Sequence, residues 1–151
     1  MTTSTDNGWL DTYRGTVYPR HLDHMGHMNV AHYVEKLDEG VWHLFAAIGL
    51  TPTYMRAEHR GMAAVEMNIR FLSELHVGDL VAVRSAILAI TAKSLHIVQE
   101  MRNGETGELA AVEKAVTVHL DRRARRAVPF PEDVAARARA RIVDYPEDRD
   151  G

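Results

Sequence analysis

The sequence predicts an α+β domain in which an antiparallel sheet of about five strands wraps around one long central helix, with a short C-terminal helix added. Three observations lead there. A single stretch, Val30 to Ile48, carries an uninterrupted helical stripe. Four strand-like stretches follow it, joined by tight turns. One sheet paired with one long helix buries that helix only by curling around it.

The chain has 151 residues, 46% hydrophobic and 26% charged, which suits a single soluble domain with its own core. It has no cysteine, so disulfides, thiolate metal sites and a cysteine nucleophile are excluded. Its longest apolar run is far shorter than a membrane span, and the polar start Met1 to Asp6 does not resemble a secretory signal. The expectation is a cytoplasmic protein with no membrane partner. A formal net charge of −3 gives no reason to expect nucleic acid.

Residues 1–10 are polar and expected to be flexible. Between Asp11 and Tyr18, Tyr13, Gly15 and Val17 alternate with Thr12, Arg14 and Thr16, a short strand stopped by Pro19. In the helix, Val30, Tyr33, Val34, Leu37, Val41, Leu44, Phe45 and Ile48 keep three-and-four spacing, and Gly49 is placed to end it. At about 1.5 Å per residue it spans close to 30 Å. A linker from Pro52 to Arg60 leads to Val65, Met67, Ile69 and Phe71, which alternate with polar residues as in a strand with one buried face.

Val77-Gly78-Asp79 turns the chain into Leu80–Thr91, apolar on both faces like an interior strand. Ala92-Lys93 turns it back into Ser94–Arg102, and Asn103-Gly104-Glu105-Thr106-Gly107 is a hairpin signal before the last strand, Glu108–Leu120. Asp121–Arg126 is a basic turn. Pro131 fits the first position of a short helix to about Arg141, with Glu132 and Asp133 in its first turn. Residues 143–151 form an acidic tail expected to fray, which leaves 11–142 as one domain.

The chemistry concentrates in Arg20-His21-Leu22-Asp23-His24-Met25-Gly26-His27-Met28-Asn29, directly before the long helix. Asn29 suits the N-cap, since its side-chain oxygen accepts from first-turn N–H groups. Those N–H groups make a partial positive site able to polarise a carbonyl or hold an oxyanion. Gly26 lets the backbone turn sharply and approach a ligand closely. Asp23 sits at the lip of that pocket. His21, His24 and His27 recur at every third residue with Asp23 and His32 nearby, which are metal-ligand types, but a loop ending in a helix cap need not converge them.

This element order and the loop Asp23-His24-Met25-Gly26-His27-Met28-Asn29 resemble the hotdog-fold acyl-CoA thioesterases of the 4-hydroxybenzoyl-CoA thioesterase class. Tyr33 four residues after Asn29, the Gly78-Asp79 turn and Lys93-Ser94 between middle strands belong to the same resemblance, which covers roughly Thr12 to Pro131. The chain departs from its relatives in having Asn29-Val30 where two asparagines are common. The cap is left in place.

The resemblance implies a hotdog fold, a dimer or tetramer with sites shared between subunits, acyl-CoA substrates, no metal and no cofactor. It implies Asp23 as the catalytic carboxylate, as nucleophile or general base, and the backbone N–H of Val30 as carbonyl polariser. His27 either lends a proton and positions the loop or simply braces the turn. Tyr33 is core or acyl-pocket lining. Lys93, Arg125 and Arg126, with Arg122 and Arg123, are candidates for the CoA phosphates. Ser94 matches a position near the pantetheine arm. The expected activity is hydrolysis of a short, medium or aromatic acyl-CoA. The alternatives are an acyl-CoA-binding module without turnover and an acyl-thioester dehydratase or hydratase.

Overall fold

Asn29 starts the central helix by accepting the Ala31 N–H on its side chain at 2.9 Å, and helix α1 runs Val30–Ala47. Gly49, at φ +100°, carries the chain away from its end. The computed structural model describes residues 3–4 and 6–146, with side chains from Asn7 onward. The acidic residues 147–151 and the first two residues of the expected flexible N-terminus lie outside the described residues.

The strands are β1 (Thr3–Ser4), β2 (Leu10–Thr16), β3 (Arg60–Phe71), β4 (Leu80–Ile90), β5 (Ser94–Asn103), β6 (Leu109–Asp121) and β7 (Arg126–Ala127). They form one antiparallel sheet in the order β1-β2-β4-β5-β6-β3, with the short β7 on β6. This is the hotdog fold: the sheet curls around α1, with α3 (Glu132–Arg139) packed at one end. Leu37, Leu44, Phe45 and Ile48 of α1 are at most 2% exposed and meet Ile87, Leu95, Ile97 and Met101 from the sheet. Each such side chain contributes about 1.5–3 kcal/mol by leaving water.

Beneath α1 runs a buried polar chain. Ser85 Oγ lies 2.7 Å from Thr12 Oγ1 and donates to Gln99 Oε1 at 2.6 Å. Gln99 Nε2 donates to Leu37 O and to Glu113 Oε1. Gly40 sits against this chain, where a Cβ would come within 2.9 Å of Gln99 Oε1.

Several expectations are corrected. The linker after α1 contains a helix, α2 (Pro52–Glu58): Thr51 caps it by accepting from Tyr54 N–H, and Pro52 opens its first turn. Pro131 stands at the N-cap of α3, one position before the expected one. Strand β3 does not bury one face within the chain, because it lies at the sheet edge with Val65 62%, Met67 46% and Phe71 45% exposed. Lys36, a charged residue whose place on the helix suggests a solvated or subunit-facing edge, is 3% exposed and donates to Tyr13 Oη at 3.0 Å. Trp9 and Tyr145, from the two expected loose ends, pack on the sheet face away from α1 with Ala86, Val98 and Val112. Tyr145 Oη donates to Glu100 Oε2 there, and Val143 N–H donates to Ile87 O.

Candidate active site

The loop between β2 and α1 is folded by its own backbone. Leu22 bridges Met28, Gly26 N–H donates to Asp23 O, and Asn29 N–H donates to His21 O. Gly26 takes φ +87°, a backbone conformation that glycine adopts freely, and no atom of the chain lies within 4 Å of where a Cβ would stand. Met28, 2% exposed, pins the loop to the β3–β4 connection by donating from its N–H to Leu75 O.

The loop holds Asp23 as an anion. Asn29 Nδ2 donates to Asp23 Oδ2 at 2.8 Å, and Met25 N–H donates to Oδ1 at 2.8 Å. These two donors, Asn29 first, hold the Asp23 carboxyl below its ordinary range. Because Asn29 spends its oxygen on Ala31, the Val30 N–H has no acceptor among the described residues. It is an unspent donor at the positive end of an 18-residue helix.

Beside it lies a cavity of about 220 Å³, lined by His27, Met28, Val30, Tyr33 and the segment Phe71-Leu72-Ser73-Glu74. Tyr33 is 4% exposed, donates from Oη to Ser73 O at 3.1 Å and meets Phe71 edge-to-face at 5.2 Å. Burial pushes its phenol pKa up, so it serves as a neutral wall. His27 lies between loop and cavity, with Nε2 3.5 Å from Glu74 Oε1. Phe71, Leu72, Ser73 and Glu74 carried no recognisable motif in the sequence.

Of the candidate residues, His27, Val30 and Tyr33 line the cavity, while Asp23, Gly26 and Asn29 do not; Asp23 is tied to the start of α1 through its hydrogen bond from Asn29. The other candidates are not with them. Lys93 and Ser94 form the β4–β5 turn, where Ser94 Oγ and Thr91 Oγ1 are 2.6 Å apart. Arg125 takes φ +56° in the β6–β7 turn, and Arg126 pairs with Asp121 in register. Along β6, Ala111 opposite Phe71 and Val118 opposite Ser94 are separated by about 23 Å at about 3.3 Å per residue. Arg122 braces the fold by donating to Arg60 O and Met55 O, and Arg123 Nη2 meets His59 Nε2.

Of the histidines weighed as metal ligands, His21 and His32 come together with Glu35, their ligand-type atoms within 4.8 Å of one another. His21 Nδ1 accepts the Tyr18 N–H at 2.9 Å, which places the proton of the neutral ring on Nε2. That nitrogen offers a donor, not a lone pair. His24 is exposed and stands outside this group.

The sequence profile of the thioesterase-like superfamily matches residues 17–138. The chain belongs to the thioesterase-like superfamily. It is a hydrolase acting on thioester bonds. It is 30% identical over 131 residues to the betainyl-CoA thioesterase of Pseudomonas aeruginosa, covering 87% of this chain and 82% of that protein. It is 32% identical over 110 residues to the L-carnitine dehydrogenase/betainyl-CoA thioesterase of Agrobacterium fabrum. That match covers 73% of this chain but only 22% of the longer protein. Among solved structures, a Staphylococcus aureus protein in complex with CoA superposes with a TM-score of 0.81 at 24% identity, covering 89% of this chain and 88% of the other. No helix of the described residues is long and apolar enough to cross a membrane.

Proposed function

We propose that this thioesterase hydrolyses a short, medium-chain or aromatic acyl-CoA, with Asp23 as nucleophile or general base and the Val30 N–H polarising the carbonyl. The observation that carries this reading is the Val30 N–H, with no acceptor among the described residues, beside the cavity at the start of α1. In the general-base form, Asp23 takes a proton from water as its oxygen adds to the carbonyl carbon. The Val30 N–H then holds the oxyanion, and the C–S bond breaks as the proton passes to the CoA thiolate. In the nucleophilic form, an Asp23 oxygen attacks the carbonyl carbon and the C–S bond breaks, expelling the CoA thiolate and leaving an acyl anhydride that water cleaves to the free acid and the Asp23 carboxylate. The depressed Asp23 pKa supplies the ionised carboxylate that both routes need. The relatives named for betainyl-CoA make that thioester the first substrate to assay.

The active unit in this reading is a homodimer joined along β3, which a tetramer would repeat. A 12-residue edge strand with exposed Val65, Met67 and Phe71 is a template for another strand. Two-fold antiparallel pairing about its middle brings the Arg60 end of one subunit to the Phe71 end of the other. The basic turn with Arg125 and Arg126, and Lys93 beside it, then stand near the partner's cavity, where CoA phosphates need cations.

The test is a panel of acyl-CoAs with a thiol reagent, read as release of free CoA, alongside sedimentation to give the subunit count. No release from any member rejects the hydrolase reading. Equal affinity for CoA and pantetheine thioesters rejects the role given to Lys93, Arg125 and Arg126. Single-turnover hydrolysis in ¹⁸O water separates the routes, since only the anhydride route leaves label in Asp23.

A further inference from the structure

The loop that carries Asp23 is closed at one buried residue. His21, 4% exposed, exchanges two hydrogen bonds with Tyr18 at the exit from β2: its N–H donates to Tyr18 O at 2.9 Å, and its ring Nδ1 accepts the Tyr18 N–H at 2.9 Å. Its carbonyl accepts the Asn29 N–H at 2.9 Å, and Asn29 Nδ2 in turn holds Asp23 Oδ2. One run of contacts from Tyr18 to Asp23 therefore passes through His21. The His21 ring also stands 4.7 Å from the ring of His32, which sets it against the first turn of α1.

We propose that His21 is a positioning residue for Asp23 and that it works only as a neutral ring: the lone pair on Nδ1 closes the loop, and a proton taken up there opens it. The inference rests on the thioesterase reading only for the role of Asp23. An imidazolium carries a hydrogen on both nitrogens and keeps no acceptor. Protonated Nδ1 would turn that hydrogen on the Tyr18 N–H across 2.9 Å, so the ring or the Tyr18 backbone must move, and the support of Asn29 and Asp23 moves with it.

The surroundings oppose the charged ring as well. Burial is the largest cause lowering the His21 pKa from its ordinary 6.5, and Lys36 on α1, Arg20 beside it in the loop and His32 on α1 act in the same direction. Glu35 on α1 acts against them. The sign follows: the closed loop is at full strength above pH 6.5 and is lost as pH falls through the lowered pKa of His21.

Two variants of the full chain separate this role from packing. His21→Asn keeps an acceptor where Nδ1 stands and does not titrate. His21→Leu fills the space and has no acceptor. At pH 8, His21→Leu is expected to lower kcat about a hundredfold with KM changed less than about threefold, since Asp23 acts on thioester already bound. His21→Asn is expected to recover at least about tenfold of that loss. As pH falls below 6.5, the wild type should lose rate that His21→Asn retains. Equal kcat in the two variants, or parallel pH profiles for the wild type and His21→Asn, overturns the proposal. Amide exchange at Tyr18 and Asn29, followed by NMR and corrected for intrinsic exchange, makes the comparison without turnover and without His21→Leu. Protection should fall with pH in the wild type and hold in His21→Asn, and level protection in the wild type overturns the proposal. A protein whose amides behave as expected but which cleaves no thioester refutes the hydrolase reading and leaves the closure by His21 standing.

Discussion

Asn29 serves Asp23 and the central helix with one amide group: its Nδ2 donates to Asp23 Oδ2 at 2.8 Å while its Oδ1 accepts the Ala31 N–H at 2.9 Å. Asn29→Ala therefore has two separable effects. Loss of the cap costs about 1 kcal/mol of stability, read as a lowered melting temperature. Loss of the largest cause of the depressed Asp23 pKa moves the acid limb of the kcat/KM profile to higher pH. An unshifted limb would separate Asp23 from the titration that governs rate.

Asp23→Asn keeps the shape and removes the charge. Turnover is expected to fall at least about a hundredfold. Circular dichroism and sedimentation should match the wild type.

Val30→Pro is the sharper test of the carbonyl polariser. Proline suits the first helical position, and Asn29, at φ −70° and ψ 149°, already has the conformation a following proline demands. The variant deletes the N–H and exchanges one apolar side chain at the cavity wall for another of similar size. Folding should survive, and kcat should drop by about 10²–10³ as for other lost oxyanion donors. Val30→Ala, which keeps the N–H, is the companion measurement.

Much of this machinery was legible because it is local. The cap, the glycine turn and the helical stripe are set by residues within one or two turns of each other. Illegible features depend on partners far along the chain. Tyr33 meets Phe71 and Ser73 across some forty positions, so the cavity wall had no sequence signature. Lys36 reads as surface until its aliphatic stem is seen leading its ammonium to Tyr13. Lys93, part of the resemblance, and Arg126, a candidate by charge, stand at the other end of β6, a separation that linear order does not display. Helix α2 has a local signal in Thr51-Pro52, a cap followed by a first-turn proline, although its seven residues carry no apolar stripe that marks it as more than a linker.

Gly40→Ala tests the buried polar chain beneath α1. The new methyl would lie 2.9 Å from Gln99 Oε1 and 3.1 Å from Thr12 Oγ1, and Gln99 is pinned by Leu37, Ser85 and Glu113. Overpacking of this kind costs about 1–3 kcal/mol. That exceeds the gain of up to about 1 kcal/mol from replacing a helical glycine. Denaturant unfolding should show a net loss.

Glu113 sets a pH dependence. Burial pushes its carboxyl above the ordinary value of 4.5, with Gln99 opposing and Asp38 reinforcing. The folded state thus binds more protons than the unfolded chain above that value, and stability declines as pH rises through the raised pKa. Glu113→Gln keeps an acceptor for Gln99 and removes the charge. Its melting temperature should gain on the wild type progressively from pH 4.5 upward.

The pairing of Trp9 with Tyr145 carries a lesson for architecture. Both ends of the described chain are drawn to the back of the sheet, the side turned from α1. A neighbouring domain fused through either end would therefore depart from that back surface rather than from the helix side.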